Sequence, residues 1–308
     1  MRIIVVGLGN QGRKRLKVAG ADAVGTVDPV APDADWRRIE DVPPDCFDAA
    51  LVCTPDGPKL ELLARLLGHG KHVLVEKPLF ASAGGLARLD ALARANAAVC
   101  YTAYNHRFEP HFERMAGLIR SGELGRVYRC RLSYGNGTAR DVRDSVWRDQ
   151  GAGVLPDLGS HLLDTLLFWF GDLDAPFRIW SASRFENRAF DHVVAGARGM
   201  IVFEIEMSLL NWRNQFTCDI LAENGSAHID SLCKWGPSVF TRRHRVLPSG
   251  RPPEDAITVV RSDPTWTLEY AHFKRLCETG GPGNMGNDRV INAILDDLAV
   301  QALEGHGT

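Results

Sequence analysis

Residues 3–12 have the sequence Ile3-Ile4-Val5-Val6-Gly7-Leu8-Gly9-Asn10-Gln11-Gly12. A β-branched run that ends in glycine is typical of a strand buried on both faces, and a helix is expected at about 11–19. Strand-like and helical runs then alternate, with strands at 23–28, 49–53, 72–75 and 98–103 and helices at 60–67 and 86–95. This alternation predicts a parallel, doubly wound α/β sheet with right-handed crossovers.

The pattern changes after about residue 105. Residues 127–134 alternate between charged and apolar side chains, which indicates a strand with one solvated face. Further strand-like runs follow without intervening helices, at 177–185, 192–197, 200–209 and 216–229, the last divided by a hairpin turn at 223–226. Helices are expected at 112–119, 154–170, 267–279 and 288–303, and a turn-rich loop at 248–253. The second part is therefore predicted to be α+β with an antiparallel sheet.

Composition indicates an ordinary globular protein of two domains. The chain has 308 residues, of which 45% are hydrophobic and 24% charged, and its formal net charge of −2 gives no support to nucleic acid or an acidic membrane as the main partner. The seven cysteines are odd in number and form no C-x-x-C pair, so reduced thiols are expected. The apolar stretch 162–170 is short and contains Asp164, so it cannot span a bilayer. We expect a cytoplasmic protein.

The glycines at 7, 9 and 12 form a G-x-G-x-x-G motif that follows a strand and opens a helix, a context typical of a dinucleotide site. Gly7 permits a tight turn, Gly9 allows the backbone to approach a pyrophosphate, and Gly12 allows close packing of helix and strand. The N-terminus of the helix offers N–H groups to the phosphates. The alternative is a glycine turn in a nucleotide-free α/β protein.

Asp28 ends the second predicted strand. A carboxylate at this place can accept hydrogen bonds from both ribose hydroxyls of NAD and would repel the 2′-phosphate of NADP. No arginine follows until Arg37. The sequence therefore favours NAD over NADP.

Two polar clusters are candidates for catalysis. Glu76-Lys77-Pro78 follows the fourth strand, at the carboxyl edge of the sheet where ligands bind in such folds. Asp157 and His161 are four residues apart and would share one face of an apolar helix, with Asp164 close to the same stripe. Burying unpaired polar groups costs free energy, so polar residues on an apolar helix require an explanation. The two alternatives are a role in catalysis and a structural His–Asp hydrogen bond.

With these residues in view, the chain resembles the glucose–fructose oxidoreductase / inositol dehydrogenase / MocA family over essentially its whole length. The resemblance rests on motifs in the right order: G-x-G-x-x-G at 7–12, Thr54-Pro55, Glu76-Lys77-Pro78, Tyr104-Asn105-His106-Arg107-Phe108, Trp147-Arg148 and the block 151–164. It implies a Rossmann domain at 1–104 and a domain at 105–308 with a large open, mainly antiparallel sheet. The last helix is expected to pack on the first domain, and the sheet is expected to form the interface of a homodimer or homotetramer.

The resemblance also implies residue roles. Lys77 would contact the substrate and the nicotinamide ribose, and Lys77, Asp157 and His161 would converge on the substrate carbon, with Asp164 in support. Substrate contacts are expected from Asn105, Trp147 and Arg148. The cofactor contacts implied are Gly7, Gly9, Asn10, Gln11, Gly12, Asp28, Thr54, Pro55, Glu76 and Lys77.

Alcohol oxidation requires a proton to leave the hydroxyl while hydride goes to the nicotinamide. His161 is a natural base because the unperturbed pKa of histidine is about 6.5, and Asp157 could orient it. Lys77 could stabilise negative charge on the reacting oxygen, or could itself be the base if burial or a nearby cation depresses its pKa. The sequence leaves both alternatives open.

The chain departs from the family in two places. Lys59 stands where a histidine often follows the Thr54-Pro55 pair, and the glycine run before the catalytic block is Gly151-Ala152-Gly153 rather than three glycines. Neither change removes a proposed catalytic group, but the first weakens any detailed copy of the cofactor loop.

The resemblance implies a small sugar, inositol or sugar derivative as substrate, and no cluster of ligands indicates a metal. The arginines at 140, 143, 148, 242, 243 and 245 could bind an anionic group of a substrate or could be solvated surface residues. Trp235 could stack on a sugar ring or be buried. Two other functions remain open: a non-catalytic NAD-bound sensor, and a redox-assisted lyase or hydrolase that recycles NAD.

Overall fold

The computed structural model describes residues 1–145, 148–173 and 175–305. The chain divides into two compact units: Met1–Asn105 together with Thr265–Asn292, and His106–Pro264 together with the residues from Ala293 onward. The sequence-based boundary placed everything after residue 104 in a second domain, whereas 265–292 belong to the same compact unit as the first 105 residues.

Strands and helices follow one another in an order close to the predicted one. The strands are β1 (Ile3–Val6), β2 (Ala23–Val27), β3 (Ala49–Val52), β4 (His72–Glu76), β5 (Cys100–Ala103), β6 (Val127–Gly135), β7 (Arg178–Ser183), β8 (His192–Arg198), β9 (Val202–Ser208), β10 (Gln215–Ala222), β11 (Gly225–Asp230), β12 (Ser238–His244) and β13 (Glu254–Val259). The α-helices are α1 (Asn10–Ala19), α2 (Asp56–Gly68), α3 (Ala83–Ala95), α4 (Pro110–Arg120), α5 (Ala139–Arg143), α6 (Ser160–Phe170), α7 (Thr265–Thr279) and α8 (Met285–Glu304).

The first unit contains a five-stranded sheet in the order β2-β1-β3-β4-β5, with every pair of neighbours parallel. Side chains alternate between its two faces, so Ile4 and Val6 join one apolar core while Ile3 and Val5 join another. Both cores are buried, which explains why the strand sequences are continuously apolar. The predicted doubly wound sheet is confirmed.

The C-terminal segment of the first unit is tied to β5 by buried hydrogen bonds. Asp288, at the start of α8, accepts from the Thr102 hydroxyl at 2.7 Å and from the Tyr104 hydroxyl at 3.0 Å. The Asn284 side chain also pairs with both backbone polar atoms of Thr102, at 2.7 and 2.8 Å. These polar contacts join segments that are distant in sequence, so apolar periodicity alone could not have assigned 265–292 to this unit.

The second unit contains an eight-stranded sheet in the order β13-β12-β11-β10-β6-β9-β8-β7. All neighbours are antiparallel except β6 and β9, which are parallel, so the predicted, mainly antiparallel α+β architecture is confirmed. One face is apolar and supports α4 and α6, as the ring contacts of Phe112 with Trp169 and Phe216 show. The other face carries ion pairs between neighbouring strands, including Arg131 with Glu204 and Glu206.

Two strands at one side of this sheet were not predicted. β12 contains the run Thr241-Arg242-Arg243-His244, and β13 is an edge strand whose side chains are mostly exposed. β12 lies between β13 and β11 but ends in a polar run at 241–244, and the edge strand β13 is mostly exposed, so neither segment has the period-two pattern that identified the other strands. The turn-rich segment predicted at 248–253 connects them.

The helix predicted at 154–170 is not a single α-helix. Residues Leu155–Gly159 form a turn of π-helix, and α6 begins only at Ser160. A π-turn bonds residue i to i+5 and therefore displaces the side chains that precede it from their α-helical positions. The argument that Asp157 and His161 share an α-helical face consequently does not hold as stated.

All seven cysteines are free thiols. Among the described residues, none of the helices is both long and apolar enough to cross a membrane.

Candidate active site

The turn between β1 and α1 has the geometry that its glycines predicted. Gly7 has φ +91°, and a Cβ there would lie 2.7 Å from the carbonyl oxygen of Cys53. A Cβ on Gly12 would lie 1.8 Å from the carbonyl oxygen of Gly7, so helix and strand could not approach as they do. Gly9 is the N-cap of α1, and a Cβ there would meet no atom within 4 Å. The helix N-terminus is therefore open to a ligand on the side of Gly9.

Asp28 lies beside this turn and is fixed by backbone donors. Its Oδ2 accepts from the N–H of Leu8 at 2.7 Å, and its Oδ1 accepts from the N–H groups of Val30 and Ala31 at 2.8 Å each. Partial burial alone would raise the pKa of Asp28, but the three N–H donors and the nearby Arg37 outweigh it and hold this pKa below its ordinary value. The carboxylate is thus ionised and rigid.

Thr54 and Pro55 connect β3 to α2 at the same edge of the sheet. The hydroxyl oxygen of Thr54 is buried and makes no hydrogen bond within the ranges 1–145, 148–173 and 175–305. A Cβ atom on Gly7 would lie 3.2 Å from the backbone nitrogen of Thr54, so Thr54 packs against the glycine turn. Asn10 and Gln11 are exposed in the first turn of α1. An open helix N-terminus, an ionised Asp28 and an orphaned hydroxyl together fit a dinucleotide with a free ribose diol.

Glu76 and Lys77 follow β4, and the Lys77–Pro78 peptide bond is cis. The Glu76 carboxylate accepts from Nε of Arg15 at 2.6 Å, and the Arg15 guanidinium also pairs with Glu269 at 2.7 Å. Burial acts to lower the pKa of Arg15, but the two carboxylates outweigh it and raise this pKa. Glu76, predicted to contact the cofactor, is therefore held by a buried cation. Lys77 is half-buried.

Asn105, a predicted substrate residue, is buried in the first unit. Its amide nitrogen donates to the hydroxyl of Thr265 at 2.7 Å. This bond joins the end of the first segment to the beginning of α7. A contact of Asn105 with substrate stays a prediction.

His161 belongs to the second unit and lies in an aromatic environment. Its side chain is only 7% exposed, and its ring stacks on that of His106 with centroids 4.1 Å apart and planes inclined by 17°. Tyr134, on β6, meets the His161 ring edge-on at 5.9 Å. The apolar face of the sheet and the start of α6 thus fix the plane of this imidazole.

Asp157 lies in the π-turn, one helical turn before His161. Its side chain is 46% exposed, and Arg148 Nη2 is 4.0 Å from its Oδ2. Burial raises the pKa of the Tyr134 hydroxyl, and the nearby charge of Asp157 raises it further. Asp157, Arg148 and His161 therefore lie in one neighbourhood around Tyr134. Trp147, the third predicted substrate residue, lies outside the described residues.

Asp164 has a structural partner. Its carboxylate accepts two hydrogen bonds from Arg107, from Nε at 2.7 Å and from Nη2 at 2.5 Å. The Asp164 side chain is buried, and the Arg107 guanidinium also lies over the ring of Phe168. This bidentate ion pair accounts for an acid on an apolar helix and agrees with the supporting role expected for Asp164.

The sequence analysis missed Arg15 and Lys59 beside the Glu76–Pro78 segment of the first unit, and His106 and Arg107 beside α6 of the second unit. His106 and Arg107 are part of the quoted motif that contains Asn105, so a signal was present. Lys59 was noticed only as a departure from the family. Arg15 carries no local signal, because its two partners are far away in sequence.

The arginines at 143, 242, 243 and 245 and Trp235 have partners within the second unit, and Arg143 donates to the Glu186 carbonyl oxygen at 3.5 Å. Arg242 pairs with Glu123, Arg243 with Glu254, and Arg245 donates to the Glu223 carbonyl oxygen. Trp235 lies between the ring of Tyr134 and the ammonium of Lys234. These contacts agree with a surface charge network and a packed indole.

Two sequence profiles match the chain. Residues 1–104 match the profile described as oxidoreductase family, NAD-binding Rossmann fold, and residues 112–228 match the profile of the GFO/IDH/MocA C-terminal domain. The first unit therefore contains an NAD-binding Rossmann fold.

Several characterised and uncharacterised proteins are similar over part of the chain. An uncharacterised oxidoreductase of Escherichia coli, YdgJ, is 34% identical over 148 residues, which cover 45% of this chain and 42% of that protein. The scyllo-inositol 2-dehydrogenase (NADP(+)) IolW of Bacillus subtilis is 30% identical over 145 residues, which cover 46% and 40%. The matched part thus spans about two fifths of the length of each relative.

Solved structures extend the likeness to the whole fold. Levoglucosan dehydrogenase in complex with NADH superposes with a TM-score of 0.85 at 16% identity, covering 99% of this chain and 97% of the other. At this identity the likeness concerns the fold alone.

Proposed function

Because the chain belongs to the GFO/IDH/MocA oxidoreductase family, we propose that it is an NAD-dependent dehydrogenase of sugars, inositols or their derivatives. It would transfer a hydride between nicotinamide and a secondary alcohol or ketone. The observation that carries the proposal is the ionised Asp28 carboxylate, fixed by three backbone donors beside an open helix N-terminus. Relatives named as dehydrogenases of scyllo-inositol and of levoglucosan support this substrate class.

The preference for NAD follows from the charge at Asp28. Backbone N–H groups occupy three of the roughly four lone-pair sites of its carboxylate, and the remaining site on Oδ2 can accept from a ribose hydroxyl, whereas a 2′-phosphate would meet a fixed negative charge. Arg37, whose charge acts on Asp28, donates to the carbonyl oxygen of Ala31 at 2.5 Å. The relative IolW is named as an NADP(+)-dependent enzyme, so the family alone does not determine the cofactor. The proposed preference for NAD therefore rests on Asp28 of this chain.

In the proposed reaction, a dinucleotide held at the glycine turn and Asp28 would supply the hydride acceptor for the alcohol carbon, or the hydride donor for the ketone. His161 removes the hydroxyl proton, and Asp157 lies in the π-turn that precedes it. Lys77 donates a hydrogen bond to the reacting oxygen and stabilises the negative charge that develops there. The proposal requires Lys77 and His161 to act on the same alcohol.

The test is NADH formation by the purified protein with NAD, across a panel of sugars, inositols, sugar acids and nucleotide sugars, with parallel NADP reactions. NADH produced from one substrate class supports the proposal, and His161→Ala should then abolish most of the turnover. His69→Ala, at the exposed end of α2, is the matched control and should not. Tight NADH binding without net NADH formation would instead favour a sensor or a lyase that recycles NAD.

We also propose that the protein is a homodimer or homotetramer formed through its eight-stranded sheet. The charged face of that sheet carries pairs such as Arg129 with Glu204 and His228 with Asp219. Sedimentation equilibrium tests the assembly, and a monomer at micromolar concentration would contradict it.

A further inference from the structure

Lys59, in the first turn of α2, carries a buried ammonium group. Its side chain is only 4% exposed. Nζ donates to Oδ1 of Asp56 at 2.5 Å and to the carbonyl oxygen of Pro78 at 3.2 Å. Pro78 follows Lys77 directly, so this buried cation holds the backbone beside the proposed catalytic lysine.

Helix stability does not explain a lysine at this position. A cation in the first turn of a helix opposes the positive end of the helix dipole, and burying an ammonium group costs free energy unless its donors are satisfied. Asp56 supplies one partner, but its carboxylate is 56% exposed and needs no buried lysine. The contact that requires Lys59 to be buried is the one with Pro78.

Buried polar side chains hold the whole segment 76–81 at three points. Arg15 holds the Glu76 carboxylate, and Lys59 holds the Pro78 carbonyl. Asn292 donates to the Leu79 carbonyl at 2.8 Å and to that of Ala81 at 3.4 Å. Lys77 lies between the first two anchors, each of which is a buried cation.

We propose that Lys59 is a positioning residue for Lys77. It holds the backbone after Lys77 while Arg15 holds the residue before it, so that the Lys77 amine is presented in one direction. The catalytic consequence rests on the proposed function of Lys77, whereas the effect on the segment does not. A displacement of about 1 Å at a reacting group can lower the rate by about 100-fold. Correct placement of Lys77 can therefore offset the free-energy cost of burying the Lys59 ammonium group.

Hydrogen exchange tests the anchor without any substrate. In Lys59→Met the amides of residues 76, 77 and 79–81 should exchange at least about tenfold faster, because local opening becomes easier; Pro78 has no N–H. Lys71→Met is the matched control, since Lys71 also donates to a carbonyl oxygen, that of Phe47 at 2.9 Å, and should leave 76–81 unchanged. Unchanged exchange of 76–81 in Lys59→Met would overturn the proposal.

Asp56→Asn separates positioning from ion-pair stability. It removes the charge partner of Lys59 but leaves the bond to Pro78, so 76–81 should exchange as in the wild type. If Asp56→Asn reproduces the Lys59→Met behaviour, the ion pair and not the Pro78 contact is responsible, and the proposal is wrong. Lys59→Arg, which can still donate to Pro78, should restore most of the protection and serves if Lys59→Met folds poorly.

Kinetics with a substrate found in the panel provide the catalytic readout. Lys59→Met should lower kcat by about 10- to 100-fold while the Kd for NADH stays within about twofold of the wild type, because the glycine turn and Asp28 are untouched. A structural role alone would lower stability without this selective loss of kcat, and an unchanged kcat contradicts positioning. If the wild type oxidises nothing, the proposed function fails while the exchange experiment still decides the role of Lys59.

Discussion

The imidazole rings of His106 and His161 lie nearly parallel, with centroids 4.1 Å apart. His106 is itself buried and meets the rings of Phe112 at 5.9 Å and Tyr134 at 5.3 Å. A ring packed in this way on one face cannot turn without displacing its neighbour. His106 therefore restricts the orientation of the imidazole that the proposed mechanism uses as a base.

Replacing His106 should affect turnover according to the shape of the replacement. His106→Phe keeps a flat ring against His161 and should retain kcat within about threefold. His106→Ala leaves a cavity in which His161 can rotate, and kcat should fall by about 10- to 100-fold. Steady-state kinetics and NADH titration of both variants make the comparison. An equal loss in both would mean that the imidazole nitrogens of His106 matter, and not its packing.

Asp28→Ser should weaken NAD binding and relax discrimination against NADP. The change removes the acceptor for the ribose hydroxyls, which is worth about 1–1.5 kcal/mol or about tenfold in Kd, and it removes the charge that repels a 2′-phosphate. Asp48→Ser is the matched control, because Asp48 likewise accepts a backbone N–H bond, from Arg2 at 2.8 Å, but precedes β3 at the other end of the sheet. Fluorescence titration with NADH and NADPH measures both affinities. An unchanged ratio in Asp28→Ser would remove Asp28 from cofactor selection.

Alanine at two glycines of the same turn should affect different properties: stability in Gly12→Ala and NADH binding in Gly9→Ala. In Gly12→Ala the new methyl overlaps the Gly7 carbonyl oxygen, so α1 must shift and stability should fall by about 1–3 kcal/mol or more. In Gly9→Ala the methyl meets no protein atom, so stability should be unchanged, but NADH should bind more weakly because the pyrophosphate approaches there. Thermal denaturation and NADH titration separate the two effects. Normal NADH binding by Gly9→Ala would contradict the predicted position of the pyrophosphate.

The parts of the fold that were predictable are those fixed by local pattern. Continuous apolar runs such as 3–6 identified the buried parallel strands, and the hairpin turn predicted at 223–226 was recognised from the run Glu223-Asn224-Gly225-Ser226 between two strand-like segments. β12 was missed because its second half, 241–244, is polar, and β13 because an exposed edge lacks that alternation. The membership of 265–292 in the first unit depends on pairs such as Arg15 with Glu269, which no local window contains.

The predicted site residues likewise divide into those that local sequence could predict and those that depend on distant contacts. The glycine turn and Asp28 were predictable because adjacent residues in a βαβ unit determine their geometry. The spacing of Asp157 and His161 suggested a shared helical face, but a π-turn intervenes, and His161 packs instead on His106. Lys59 acts through a carbonyl oxygen of another loop, a contact that its sequence neighbours do not indicate.

Breaking the Arg107–Asp164 pair should be costly. Asp164→Asn leaves the largely buried Arg107 guanidinium opposite an uncharged amide. The amide oxygen can still accept one hydrogen bond, but the amide nitrogen cannot accept the other. The free energy of unfolding should therefore fall by about 3 kcal/mol. Glu61→Gln breaks the exposed Arg88–Glu61 pair and should change stability by less than about 0.5 kcal/mol. Urea denaturation measures both. The double variant Arg107→Met with Asp164→Leu should recover much of the loss, and failure to recover would indicate that packing rather than charge is responsible.

Glu109 should make the protein less stable as pH rises. Burial raises the pKa of Glu109 above its ordinary value of 4.5, although the N–H and thiol of Cys233 and the charge of Lys234 oppose the shift and Asp263 adds to it. Between the unfolded and the folded pKa the native state binds more protons, so the free energy of unfolding falls as pH rises through this window. Glu109→Gln cannot ionise and should lack this decline.

The measurement is the difference in unfolding free energy between Glu109→Gln and the wild type, from urea titrations at several pH values between about 3 and about 8. The difference should move in favour of the variant as pH rises through the folded pKa of Glu109 and then level off. Glu123→Gln should move in the opposite direction, because the hydrogen bond from Arg242 lowers the pKa of Glu123, and the stability this gives is present above about 4.5 and lost as pH falls. Parallel curves for both variants would show that burial of Glu109 does not govern its ionisation.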